Sequence, residues 1–251
     1  KNVQPLFSEL NFGGVAIAHN GNLTNTQKLK KHLIDSGAIF QSTSDTEVIL
    51  HLLSTAKGEF LDRLIYSLQS INGAYSLLLM TKNSLIGVRD PFGIRPLVLG
   101  KLGDSYVLSS ESCGLDIIGA QLIRDVEPGE IITIQNNEIQ SIRPFKNTKL
   151  RPCLFEYIYF SRPDSIFEGK NVYAVRKKIG HQLANENLSD KDLVDIVIPI
   201  PDSGNASALG FAEKIKKKFE FGIIRNHYTG RTFIQGSNSI RHLAVRLKHN
   251  P

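Results

Sequence analysis

The sequence predicts two regions, an α+β region followed by an α/β region. In the first, segments with helical spacing precede a run of short strands, separated by turn residues, between residues 74 and 143. Such a run is typical of antiparallel sheets, so we expect helices stacked on sheets. In the second, a strand leads into a loop, a helix and another strand, which is the order that builds a parallel sheet.

The composition limits the class of protein. The chain has 251 residues, of which 41% are hydrophobic and 22% charged, as in an ordinary globular protein. Apolar runs all fall short of the roughly 20 residues of a membrane span. Two cysteines, Cys113 and Cys153, make no disulfide framework, which favours a cytoplasmic location. The net charge of +6 fits either an anionic ligand or a solvated basic surface.

The first strand leads into a candidate site. Residues 10 to 19 alternate as a strand does, and the Asn20-Gly21 pair after them predicts a tight turn. An Asn side-chain amide and a Gly backbone N–H are also the two donors that an oxyanion hole needs. Asp45 could complete this polar site by pairing with an ammonium group, or it could only complement the dipole of its own helix. The residues leave both interpretations open.

Three helices are expected before the run of strands. The pairs Thr24 with Gln27 and Ser44 with Glu47 have the spacing of capping boxes, which predicts that two helices begin there. The third helix is predicted by apolar residues spaced as one core-facing stripe, namely Phe60, Leu61, Leu64, Ile65 and Leu68.

The later elements follow a basic linker at residues 143 to 152. The string "CLFEYIYF" predicts a strand, and the apolar run at residues 193 to 201 predicts a buried parallel strand. "PDSGNAS" opens a helix, and "FGIIRNHYTGRTF" predicts a short strand followed by a basic loop. A further helix is marked by apolar residues at Val172, Val175, Ile179 and Leu183.

A second candidate site follows the buried strand. A Ser- and Gly-rich loop that opens a helix can bind an anion through free backbone N–H groups, with help from the Ser203 hydroxyl. Asp202 could reach a metal or a sugar hydroxyl. The interpretation as an ordinary capped helix, beside an exposed basic loop, stays open. The basic loop in "FGIIRNHYTGRTF" carries four polar residues, namely Arg225, His227, Tyr228 and Arg231. If the short strand before this loop lies next to the buried strand, both loops lie at the same edge of one sheet.

Taken together, nine strings resemble one family in order and over essentially the whole chain. The strings are "AHNGNLTN", "STSDTEV", "GVRDPFGIRPL", "SSES", "VEPGE", "CLFEYIYFSRPDS", "VYAVRKKIG", "PIPDSG" and "NHYTGRTFIQ". The family is that of glutamine phosphoribosylpyrophosphate amidotransferases. Each string is weak alone, but the set is specific.

The resemblance implies a fold and a reaction. Residues 1 to 148 would be an N-terminal-nucleophile glutaminase domain of αββα type, incomplete at its start. Residues 149 to 251 would be the first part of a type I phosphoribosyltransferase domain. Glutamine hydrolysed in the first would supply ammonia to the second. There ammonia displaces pyrophosphate from phosphoribosyl pyrophosphate, in the presence of Mg²⁺, to give the phosphoribosylamine of purine biosynthesis.

The resemblance also implies roles for individual residues. Asn20 and Gly21 match oxyanion-hole residues, so their turn would be aimed at an oxyanion. Asp45 matches the carboxylate that holds the α-amino group of glutamine. Ser203 matches a residue near the magnesium–pyrophosphate group and is the candidate magnesium contact. Residues 225 to 231 match the loop that closes over phosphoribosyl pyrophosphate, with candidate contacts Arg225, Tyr228 and Arg231.

Two parts of the family pattern do not occur in these residues. The family's nucleophile is a cysteine at the mature N-terminus, whereas this chain starts at Lys1, and its pyrophosphate-binding loop carries an adjacent pair of acids. We therefore expect a fragment that catalyses neither half-reaction by itself. An iron–sulfur cluster, which one branch of the family holds, is not expected, because two cysteines cannot supply four thiolates.

The expected partners follow from the same resemblance. They are glutamine, phosphoribosyl pyrophosphate and inhibitory purine nucleotides, and the family forms homo-oligomers. Neither nucleic acid nor a membrane is expected, since the basic residues are scattered except between 216 and 249. An alternative function is that of a non-catalytic remnant which retains a nucleotide or phosphate site.

Overall fold

The computed structural model describes residues 2–187, 193–230 and 237–250, which form two compact units. The first unit comprises residues 1–154 together with 166–169. The second unit comprises residues 155–165 and 170–251. The domain boundary was predicted after residue 148, six residues before the first unit's long segment ends at residue 154. The assignment of the two domains stays a prediction.

The first unit contains two antiparallel sheets, as the run of short strands predicts. One has six strands in the order β1-β2-β3-β4-β8-β9, and the other has three in the order β6-β5-β7. The strands are β1 Leu6–Leu10, β2 Gly13–Leu23, β3 Gly73–Met80, β4 Leu85–Arg89, β5 Val98–Leu102, β6 Ser105–Ser109, β7 Gln121–Asp125, β8 Ile131–Gln135 and β9 Glu138–Ile142.

The six-stranded sheet is apolar on both faces and is covered on both. One face packs against the helices α1 Thr26–Asp35, α2 Thr46–Thr55 and α3 Phe60–Ser70 through a buried core that includes Val15, Ile17, Leu77, Val48, Leu53 and Leu64. The other face packs against the three-stranded sheet through Leu97, Leu99, Leu108, Val126 and Ile132. The layers are therefore helix, sheet and sheet. A short helix, α4 Ser112–Ile117, packs beside β6 and β7.

Two of the predicted helix starts are displaced by one residue. The N-caps are Asn25 for α1 and Asp45 for α2, so the capping boxes predicted at Thr24 and Ser44 are wrong. The carboxylate of Glu47 instead accepts hydrogen bonds from the backbone N–H groups of residues 41 and 42, at 2.7 and 2.8 Å, and from the Ser42 hydroxyl. It thereby fixes the loop before α2 and leaves Asp45 at the start of the helix.

The second unit is built mainly of helices with short strand pairs. A π-helical turn, Glu156–Phe160, precedes the helices α5 Val172–Glu186, α6 Asn205–Ile215 and α7 Asn238–Lys248. The remaining strands are β10 Ile166–Phe167, β11 Lys170–Asn171, β12 Ile196–Val197, β13 Lys218–Phe219, β14 Ile224–Arg225 and β15 His249–Asn250. Strand β12 is parallel to β13, and β14 is antiparallel to β15.

Two predicted strands of this unit are wrong or shortened. The string "CLFEYIYF" ends in the π-helical turn, and the buried Arg176 guanidinium donates to the carbonyl oxygens of Tyr157 within it (2.5 Å) and of Ser161 just after it (2.7 Å). In the apolar run at residues 193 to 201, only Ile196 and Val197 pair in a sheet, and Ile200 is 64% exposed. With β13 as its one recorded neighbour, this strand is not the buried strand that was predicted.

Helices α5 and α6 cross at two glycines. A Cβ atom on Gly180 of α5 would lie 1.9 Å from the carbonyl oxygen of Ser207, and one on Gly210 of α6 would lie 2.1 Å from that of Lys177. The buried face of α5 therefore carries Gly180, whereas Ile179 and Leu183 of the predicted apolar stripe are 37% and 49% exposed. The prediction of a helix is confirmed; of the residues that marked it, Val172 is buried and Val175 half-buried, whereas Ile179 and Leu183 are not.

Candidate functional site

The Asn20-Gly21 pair lies within a strand and not in the tight turn that was predicted. Strand β2 continues to Leu23, and its ladder with β3 pairs Asn20 with Ser76 and Gly21 with Tyr75. The ladder with β3 continues past this pair to Leu23 and Gly73, which keeps the backbone of residues 20 and 21 extended. Glycine is required for another reason, because a Cβ atom on residue 21 would lie 2.0 Å from the carbonyl oxygen of Ala74.

The side chain of Asn20 is held at both ends of its amide. Arg95 Nη2 donates to Asn20 Oδ1 at 2.5 Å, and Asn20 Nδ2 donates to Ser110 Oγ at 3.2 Å. These contacts define which amide atom is the donor and which is the acceptor. Asn20 is half-buried, and the neighbouring Gly21 is exposed.

Arg95 lies in a turn whose backbone is hydrogen-bonded by the buried side chains of Asp90 and Arg89. The carboxylate of Asp90, fully buried, accepts from the backbone N–H groups of Phe92 and Ile94 (both 2.9 Å) and Arg95 (3.2 Å). Burial raises the pKa of Asp90, while these hydrogen bonds act to lower it. From β4, the guanidinium of Arg89, 1% exposed, donates to the carbonyl oxygens of residues 93, 95 and 126.

Asp45 is anchored to the same strand as Asn20 and Gly21. Its Oδ2 accepts from the backbone N–H of Leu23 at 2.8 Å, and its Oδ1 lies 3.5 Å from His19 Nδ1. Burial alone would raise the pKa of Asp45, but the hydrogen bonds from His19 and Leu23 outweigh it and lower the pKa below its usual value. The structure therefore brings the predicted residues of the first site together around one end of β2, with an anionic carboxylate.

The site includes two residues to which the sequence analysis gave no role. Arg95 stands in the string "GVRDPFGIRPL", where an Arg follows a Pro-Phe-Gly turn. His19 directly precedes Asn20, and its Nδ1 also lies 3.2 Å from Thr46 Oγ1. Both contacts join residues far apart in the chain, and periodicity cannot reveal such pairs. The sequence signal for both residues is their place in motifs of the family, His19 in "AHNGNLTN" and Arg95 in "GVRDPFGIRPL".

The second candidate site is only partly assembled. Ser203 is exposed just before α6, and Tyr228 is fully exposed. Arg225 pairs with the carboxylate of Asp202, which joins the two predicted loops. However, Arg225 lies on β14, which pairs with β15 and not with β12 or β13, so the condition that the two strands be adjacent is not met. Arg231 lies outside the described residues.

The described part of the chain has neither a cluster of metal-ligating side chains nor a helix able to span a membrane. Residues 2–187, 193–230 and 237–250 contain no group of three or more His, Cys, Asp or Glu side chains suited to holding a metal ion. Helices in the same ranges are each too short or too polar to cross a membrane.

The sequence of the first unit is similar to that of glutamine amidotransferase domains. Residues 1–116 match the protein family described as "Glutamine amidotransferase domain". Over its whole length, the chain is homologous to amidophosphoribosyltransferases. It is 51% identical to that of Rhizobium etli over 256 residues, which cover 100% of this chain and 51% of the relative. It is 45% identical to that of Bacillus subtilis, with 99% and 52% covered.

A solved structure gives the same answer. The glutamine phosphoribosylpyrophosphate amidotransferase of B. subtilis, complexed with ADP and GMP, superposes with a TM-score of 0.89 at 44% identity. The match covers 99% of this chain and 54% of that one. The chain thus spans about half the length of the relatives that it matches. The predicted fold class, a partial glutaminase domain followed by the first part of a phosphoribosyltransferase domain, is confirmed.

Proposed function

We propose that this chain is part of an amidophosphoribosyltransferase of purine biosynthesis and that its first unit binds and polarises glutamine for hydrolysis. The observation that carries the proposal is the grouping of Asn20, Gly21 and the ionised Asp45 around one end of β2. The homology over the whole chain supports it. The names of the relatives supply the overall reaction, in which glutamine nitrogen is transferred to phosphoribosyl pyrophosphate.

In this proposal the first unit performs two tasks. Asn20 Nδ2 and the backbone N–H of Gly21 donate to the oxyanion that forms when the γ-carboxamide of glutamine is attacked. Asp45 binds the α-ammonium group, since a carboxylate has about four acceptor positions and its three partners, His19 and the backbone N–H groups of Leu23 and Thr46, leave room for another. The attacking thiolate, which the family resemblance places on an N-terminal cysteine, is assigned to none of these 251 residues.

For the second unit we propose a contribution to binding phosphoribosyl pyrophosphate. Ser203 lies beside the N-terminus of α6, where a helix favours phosphate, and Arg225 can bind phosphate oxygens in a bidentate manner. Magnesium would accompany the pyrophosphate near Ser203, and Tyr228 and Arg231 would belong to the closing loop. The Asp202–Arg225 pair would open when Arg225 engages phosphate. The purine nucleotides of the B. subtilis complex support nucleotide inhibition. The family resemblance is the ground on which we propose a cytoplasmic location and a homo-oligomeric state.

The test is glutaminase activity of the intact protein from its native source. Asn20→Ala should lower kcat about 100- to 1,000-fold, because one oxyanion donor is lost. Asp45→Asn should raise KM for glutamine, because the ammonium group loses its counter-charge. The control is Asn22→Ala, two residues along the same strand and exposed, which should retain kcat and KM. Unchanged kcat in Asn20→Ala would overturn the oxyanion assignment.

A companion measurement addresses the fragment hypothesis. The 251-residue polypeptide alone should release no glutamate from glutamine and form no phosphoribosylamine. Measurable turnover by this polypeptide would refute that expectation. Thermal stabilisation by GMP in an intact protein without any turnover would instead favour a nucleotide-binding remnant.

A further inference from the structure

The orientation of the Asn20 amide depends on a group that can only donate hydrogen bonds. A carboxamide can be rotated by half a turn, which exchanges its donor and its acceptor. The Ser110 hydroxyl fits either orientation, because it can donate or accept. The Arg95 guanidinium fits one alone, because it has no acceptor, and its Nη2 lies 2.5 Å from Asn20 Oδ1.

The backbone of Arg95 is held on both sides by buried charged groups. Its N–H donates to Asp90 Oδ2 at 3.2 Å, and its carbonyl oxygen accepts from Arg89 Nε at 2.9 Å. Asp90 and Arg89 are 0% and 1% exposed. The guanidinium therefore projects from a rigid turn, which fixes where the amide oxygen of Asn20 can lie.

We infer that Arg95 is a positioning residue, which turns the Asn20 amide so that Nδ2, and not Oδ1, faces the oxyanion. The opposite orientation would present a carbonyl oxygen to a negative charge. The cationic contact to Oδ1 also polarises the amide and strengthens Nδ2 as a donor. This inference rests on the proposed glutaminase function, because it refines the same site.

The first measurement requires no catalysis. In the ¹⁵N-labelled protein, the Asn20 side-chain signal is assigned by its loss in Asn20→Asp. The rate at which the whole carboxamide rotates about the Cβ–Cγ bond, which exchanges Oδ1 and Nδ2, is measured by relaxation dispersion of that signal. In Arg95→Met this rotation should become about 10- to 100-fold faster, because a charge-assisted hydrogen bond is lost. Arg95→Lys, which still donates to Oδ1, should stay close to the native rate. An unchanged rate in Arg95→Met would overturn the inference.

The second measurement is the split between kcat and KM in the intact protein. Arg95→Met should lower kcat about 10- to 100-fold with KM for glutamine nearly unchanged, because the lost interaction acts on the transition state. Arg95→Lys should recover part of kcat. A rise in KM with an unchanged kcat would contradict a positioning role.

A third variant covers the case in which Arg95→Met does not fold. Ser110→Ala leaves Arg95 in place, so both amide rotation and kcat should stay within about twofold of native if Arg95 sets the orientation. Free rotation in Ser110→Ala would transfer the role to Ser110 and overturn the inference. If the native intact protein hydrolyses no glutamine, the proposed function fails, whereas faster amide rotation in Arg95→Met than in Ser110→Ala would still assign the orientation to Arg95.

Discussion

At residue 21, β2 has room for a hydrogen atom and for nothing larger. In Gly21→Ala the new Cβ would lie 2.0 Å from a backbone oxygen that β3 holds in place, so we expect a loss of more than about 3 kcal/mol in the free energy of unfolding. Urea denaturation measures this loss. The matched control is Gly103→Ala, where φ is +56° but a Cβ would meet no described atom within 4 Å. It should cost only about 1 kcal/mol, and equal losses would contradict the clash.

Glu130 gives the first unit a dependence on acid. Burial alone would raise its pKa, but hydrogen bonds from Arg124, Ser141 and the backbone N–H of Glu127 outweigh burial and lower the pKa to about 2. A carboxyl group with a lowered folded pKa stabilises the fold above its unfolded value of about 4.5, and this contribution disappears as the pH falls towards 2.

The stability of the chain should therefore decrease between about pH 5 and pH 2, with Glu130 contributing on the order of 3 kcal/mol. Glu130→Gln should be less stable at neutral pH and should show a flatter dependence on pH over this range. Urea denaturation at several pH values measures both effects. The control Glu138→Gln, an exposed glutamate of β9, should keep the native profile. A native profile in Glu130→Gln would show that other carboxyl groups are responsible.

At the scale of elements, the crossing of α5 and α6 reverses the usual effect of a helical glycine. Gly→Ala within a helix normally stabilises by about 0.5–1 kcal/mol. At residue 180 the new Cβ would lie 1.9 Å from the Ser207 carbonyl oxygen, so Gly180→Ala should instead destabilise the second unit by about 2 kcal/mol or more. Thermal denaturation distinguishes the two signs. Lys178→Ala, on the exposed face of α5, should change stability by less than about 0.5 kcal/mol.

Prediction from the sequence succeeded where a local pattern coincided with a packed face. The stripe from Phe60 to Leu68 lies in α3, and all its members but Leu61, which is 37% exposed, pack against the core under the sheet. It failed where a distant group decides the local structure. The ladder with β3 keeps Asn20-Gly21 extended, and Arg176 binds a carbonyl oxygen of the π-helical turn. Neither segment contains a pattern that reveals its distant partner, β3 in one case and Arg176 in the other. The family resemblance identified the candidate site residues, but it did not predict their contacts.

At the scale of the whole molecule, the first unit includes a short stretch beyond its main segment. In residues 166–169, Phe167 is 2% exposed and Ile166 N donates to Ser112 Oγ at 2.7 Å. Glu168 Oε1 lies 2.5 Å from the buried Arg89 Nη2. Removal of this stretch should leave a buried cation without its carboxylate, which is strongly destabilising.

A polypeptide of residues 2–169 should therefore have a Tm at least about 5 °C above that of residues 2–154. Differential scanning calorimetry measures the difference. Within the longer polypeptide, Glu168→Gln should lower the Tm by part of this amount, while Lys170→Gln, just after the stretch and exposed, should leave it unchanged. Equal Tm values for the two lengths would mean that the stretch adds no stability.

The interleaving of the two units bears on how such proteins can be recombined. Because residues 155–165 belong to the second unit and residues 166–169 to the first, no single crossover point separates the two. A chimera that joins the first unit of one relative to the second unit of another must carry residues 166–169 from the same relative as the first unit. Otherwise Arg89 will face residue 168 of the other relative. Compatible exchange between homologues is thus expected to require matched residues at positions 89 and 168.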